Sequence, residues 1–78
     1  MGTDPTPIEV RPRYSKTGKE NVVLVRNQLA DAGETEKAVL FVALARKHRE
    51  SMESGGQMDE HPLTVAARQV GATVHWVP

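Results

Sequence analysis

Three sets of side chains in this chain have the chemistry to act on another molecule. The first is cationic: residues 8 to 28 hold Arg11, Arg13, Lys16, Lys19 and Arg26 against only Glu9 and Glu20, and Tyr14 sits in the run. Guanidinium and ammonium groups so placed can contact phosphates or a carboxylate-rich protein surface, and a tyrosine ring adds stacking. Cations on an exposed strand also prevent edge-to-edge aggregation, so the cluster has a solubilising reading beside the binding one. The second set is His48, His61 and His75, spaced too widely for a compact metal site. Nothing in their spacing fixes a geometry for acid–base work, and Asp59-Glu60 ahead of His61 reads as acids near the positive end of a helix. The third set is aliphatic. Val39, Val42 and Ala43 share one side of the apolar block Ala38–Ala45, away from the side expected to face the core, and are the candidate partner-binding surface.

Two motif resemblances do not survive inspection. Gly18-Lys19 lacks the glycine five positions earlier and the following hydroxyl of a phosphate-binding loop, since Arg13 and Glu20 stand there. A helix-turn-helix reading fails because its reader helix, from residue 35 onward, would show base edges almost only Ala, Val, Leu and Phe over two turns. A second such reading, with the turn at Ala67 and Gly71, leaves too few residues after it for a recognition helix.

Composition bounds the rest. The chain has 78 residues, ten basic and ten acidic, and no cysteine. That is one domain, near the size where association often supplements a small core. Balanced charge argues against binding nucleic acid by bulk electrostatics. Without cysteine there is no disulfide, thiolate nucleophile or cysteine-ligated metal, and a cytoplasmic setting is expected. The apolar block is too short to span a bilayer, so no membrane association is expected.

The elements that must carry these groups follow from periodicity. Residues 1–7 read as a disordered leader and 8–78 as a single domain. Ile8, Val10, Pro12 and Tyr14 alternate with Glu9, Arg11 and Arg13, the pattern of a half-buried strand, with Pro12 confining it to an edge or a bend. Ser15–Lys19 reads as a turn, and the β-branched run Val22-Val23-Leu24-Val25 as the returning strand of a hairpin. The competing reading makes residues 22 to 32 a helix with Val22, Val25, Leu29 and Ala32 on one face. A long helix follows, capped by Asp31 with Glu34 or by Thr35, closed at Gly55, with Leu40, Phe41, Leu44, Ala45, His48 and Met52 towards the core. Arg46 with Glu50 and Arg49 with Glu53 stand four apart and are expected to pair. Pro62 opens a short helix with Leu63, Ala66, Ala67 and Val70 inward, and after Gly71 a last strand alternates through Val74 and Trp76.

The expected fold is therefore α+β: a small two-layer domain with an N-terminal β-hairpin, a long central helix, a short second helix and a C-terminal strand. The expected function is non-enzymatic, with no cofactor, metal or catalytic residue: an interaction or regulatory protein binding another macromolecule, as a homodimer or with a protein partner, through Val39, Val42 and Ala43. The alternative is nucleic-acid or anionic-partner binding through Arg11, Arg13, Tyr14, Lys16, Lys19 and Arg26 on the hairpin, and the third reading is a small hydrolase or nuclease.

Overall fold

The computed structural model of the protein describes residues 8–57 and 60–78; the expected leader and Asp59 lie outside them. Its elements run β1 (Ile8–Val10), α1 (Gly18–Asp31), α2 (Thr35–Glu53), α3 (Pro62–Gln69) and β2 (Ala72–Val74). The two strands pair in parallel, Ile8 opposite Ala72, Glu9 opposite Thr73 and Val10 opposite Val74. All three helices lie in the connection between them, and α2 packs against both α1 and α3. The α+β class is as expected, but the N-terminal hairpin is not formed.

The reason lies in two amides. Thr17 caps α1, its hydroxyl accepting from Glu20 N–H at 3.1 Å while the Glu20 carboxylate accepts from Thr17 N–H at 3.1 Å, so the expected turn is a helix start. The reciprocal bond from Thr17 holds the Glu20 carboxyl below its ordinary range. Once helical, the segment places Asn21, Val25 and Leu29 on one buried face. Asn21 then accepts from Arg13 N–H and donates to Arg13 C=O, both at 2.9 Å, and Gln28 accepts from Arg11 N–H at 2.7 Å. These side chains meet the backbone just after β1, on the side where a hairpin partner would have continued. The β-branched cost of helix at Val22, Val23 and Val25 is a few tenths of a kcal/mol per residue, roughly, and the gain from closing a strand edge exceeds it.

The other side of β1 belongs to β2. Pro12 has no N–H to give, so the ladder is interrupted after Val10 and resumes at a bridge between Arg13 and Val77. From β2 through Trp76 the expected alternation holds: Ala72 is buried, Val74 and Trp76 half-buried, Thr73 and His75 exposed.

The core comprises Val10, Val25, Leu29, Ala38, Phe41, Ala45, Leu63, Ala66, Ala67, Val70 and Ala72. Fully burying Phe41, Leu29 and Leu63 contributes ~1.5–3 kcal/mol each. The α3 stripe matches expectation residue for residue. On α2 the buried line is Ala38, Phe41 and Ala45, with Leu44 and His48 half-buried, while Leu40 is 51% and Met52 41% exposed. Both were expected inward. Lying between two helices, α2 centres its buried face on Phe41 and turns Leu40 outward. Its N-terminus also differs, with Glu34 at the cap position and no side-chain capping bond. Gly33 and Gly71, both at positive φ (82° and 83°), make the turns into α2 and β2, conformations that side chains with a Cβ rarely adopt. Gly55, φ 96°, follows α2 as expected.

Candidate functional site

The helix–helix seam between α1 and α2 opens on one side into a groove. Its α1 wall is Lys19, Val22, Val23 and Arg26, and its α2 wall is Val42, Ala45, Arg46 and Arg49. Each set has the spacing i, i+3, i+4, i+7, one face of a helix over two turns. The two walls share that spacing but not its order: the α1 cations bracket two valines, whereas on α2 two aliphatic residues precede two arginines, so that aliphatic side chains and four cations share one groove of about 360 Å³. Beyond Ala45 and Arg49 it continues into a second hollow of about 370 Å³ that includes Met52, Pro62 and Leu63.

No carboxylate lines the first groove. Ion pairs among the described residues join Arg11 to Glu9, Lys16 to Glu20, Lys37 to Glu34 and Arg68 to Glu60, and His75 lies beside Glu9. Lys19, Arg26, Arg46 and Arg49 appear in none of them. The expected pairs of Arg46 with Glu50 and Arg49 with Glu53 are thus not made: the i, i+4 spacing permits an exposed pair, but its small net gain does not compel one. The Arg26 guanidinium instead donates to the neutral Asn27 side chain at 3.2 Å. Like charges gathered in one groove repel one another, weakly where water screens them. An anion seated in the groove reverses that sign.

The six cationic-cluster residues named from sequence divide between two places. Lys19 and Arg26 enter this groove. Arg11, Arg13, Tyr14 and Lys16 do not: Arg11 pairs with Glu9 at 3.4 Å and Lys16 with Glu20 at 3.9 Å. Tyr14, 70% exposed, stacks on Trp76 with ring centroids 5.3 Å apart. The flat basic hairpin face therefore does not exist, because α1 turns its cations around a helix.

Of the three aliphatic candidates, Val42 is half-buried in the groove wall, Ala43 is exposed and Val39 is 67% exposed. The C-terminal segment does not cover them. Trp76 packs with Tyr14 and His61 and donates its indole N–H to the Thr64 hydroxyl at 3.2 Å. Val22, Val23, Ala45, Arg46 and Arg49 were missed from sequence as site residues. The i, i+3, i+4, i+7 spacing of aliphatic and cationic residues on each segment would have found them had residues 18–31 been read as helix.

The histidines hold structure together. His48 Nε2 and Gln69 Oε1, 2.8 Å apart, tie α2 to α3. His61 Nδ1 accepts from Leu63 N–H at 3.1 Å as the α3 cap, and burial pushes its pKa down. His75 Nε2 lies 3.2 Å from Glu9 Oε1. The Glu60 carboxylate, bound by both Arg68 guanidinium nitrogens at 2.6 and 3.0 Å, is held below its ordinary range. Among the described residues no group of three His, Asp or Glu side chains is arranged to hold a metal ion, and no helix is long and apolar enough to cross a membrane.

No protein-family model, curated protein or solved structure matches the chain.

Proposed function

We propose that the protein is a non-enzymatic binding module that holds an acidic, amphipathic segment of a partner protein in the α1/α2 groove. The observation that carries this reading is the conjunction of four cations, none in an ion pair with a described residue, with the valines of both helices. A segment with carboxylates on its flanks and aliphatic side chains on its face satisfies both parts at once. The groove has no aromatic ring on which a base could stack, which favours a peptide over a nucleic acid. Val39 and Ala43 precede Arg46 by seven and three residues on α2 and extend the apolar part of the surface.

Fluorescence anisotropy tests it with three labelled probes: a helical peptide of Glu and Leu, a peptide of equal charge with Ser in place of Leu, and a single-stranded DNA oligonucleotide. The Glu/Leu peptide should bind most tightly, and salt should weaken it. Arg26→Glu with Arg46→Glu should reduce its affinity at least tenfold, whereas Arg11→Ala with Arg13→Ala, outside the groove, should not. Equal binding by the Arg26→Glu, Arg46→Glu variant sinks the reading. Tighter binding of the oligonucleotide replaces it with nucleic-acid recognition.

A further inference from the structure

We infer that the outer edge of β2 pairs with the same edge of a second copy of this chain, antiparallel about a two-fold axis at Val74. The hydrogen bonds identify the open edge. His75 and Val77 donate their N–H groups to the carbonyls of Val10 and Pro12, and Tyr14 N–H donates to Val77 C=O, each at 2.9 Å. Backbone groups of successive residues in a paired strand turn to opposite sides. Ala72, Val74 and Trp76 therefore turn their N–H and C=O groups away from β1, and no described residue bonds to them. The opposite edge of the sheet is treated differently: there the outward N–H groups of Arg11 and Arg13 are met by Gln28 and Asn21. Side-chain amides thus meet the outward N–H groups just beyond β1, while Glu9 on that edge and Ala72, Val74 and Trp76 on the other have no backbone partner among the described residues.

The strand's own sequence argues for a second copy as occupant. Residues 72–77 contain no lysine, arginine or proline, the residues by which exposed edges are ordinarily guarded. Antiparallel pairing about Val74 sets Val74 against the partner's Val74, Ala72 against the partner's Trp76, and Thr73 against the partner's His75. Small thus meets large on the inner face, polar meets polar on the outer face, and no acidic or basic pair is opposed. The outward groups of three residues on each strand form about six backbone hydrogen bonds. Two strands become four, the length of sheet at which a strand pairing ceases to be marginal, and the contact is self-complementary as a two-fold requires. The surface is separate from the α1/α2 groove, so either reading stands or falls alone.

The test uses the absence of native cysteine. Thr73 and the partner's His75 would form a non-hydrogen-bonded pair with Cα atoms about 4.5 Å apart, suited to a disulfide. A mixture of the Thr73→Cys and His75→Cys variants should cross-link on mild oxidation, and each variant alone should do so at least tenfold less. Sedimentation of the unaltered chain should show twice the monomer mass, and Val74→Pro, which removes an outward N–H without taking a donor from the β1 pairing, should return it to the monomer with its helical circular dichroism kept. Three results overturn the inference: a monomer at millimolar concentration, cross-linking of single variants equal to that of the mixture, or slow exchange of the Val74 and Trp76 amides in a dilute monomeric sample. The cysteine arm remains decisive if Val74→Pro does not fold.

Discussion

Replacing Asn21 by alanine should cost this protein a large part of its stability, although the residue lies in no site. Its side chain is 2% exposed and makes two bonds of 2.9 Å to the backbone of Arg13, with a longer one of 3.4 Å to Lys16 C=O. Each good bond contributes about 1 kcal/mol net, and a buried backbone group left without a partner costs ~1–3 kcal/mol. Because Arg13 is itself exposed, water recovers part of that penalty, and Asn21→Ala should destabilise by ~2–3 kcal/mol. A chain of 78 residues has about 4–12 kcal/mol in total at typical values per residue. Asn21→Asp is a sharper variant: it keeps the acceptor for Arg13 N–H, loses the donor to both carbonyls, and buries a charge, so it should be at least as damaging. Urea titration followed by helical circular dichroism gives the free energies, and amide exchange at Arg13 reports the bond itself. A loss under about 0.5 kcal/mol for Asn21→Ala, with Arg13 still slow to exchange, would refute the claim that this amide closes β1.

Two further outcomes follow from the packing and the caps. Phe41→Ala should cost ~3–5 kcal/mol in the same titration, whereas Val39→Glu, at a position 67% exposed, should shift stability by no more than about 0.5 kcal/mol; a severe loss at Val39 means that something in the chain covers it. His61 must be neutral at Nδ1 to cap α3, and burial depresses its folded pKa. Between the folded value and the unfolded value of about 6.5 the unfolded chain binds more protons, so stability rises with pH there. The contribution is complete above the unfolded pKa, declines as pH falls through it, and levels off below the folded pKa. His61→Asn, which retains a capping oxygen, should remove that step from the stability profile, and an unchanged profile counts against the cap.

Local chemistry determined much of this protein from sequence alone. The extent of α2, the inward stripe of α3, the glycine before β2 and the alternation through Trp76 were all legible, because each depends on residues within a few positions of one another. Pro12 announced that β1 could not run on as an uninterrupted ladder. Lys19, Arg26 and Val42 were also identified, as a cationic set and an aliphatic set with no reason to connect them.

What only the tertiary structure decided was the fate of Val22–Val25. Strand and helix differ there by little in intrinsic preference, and distant groups settled the matter: β2 took one side of β1, while Asn21 and Gln28 reached the amides on the other. That choice turned a flat basic ribbon into a helix face. It brought Lys19 and Arg26 opposite Arg46 and Arg49, whose nearest acids in sequence are not their partners in space. Pairings between residues far apart in the chain depend on which surfaces the whole core brings together, and no window of sequence contains that information.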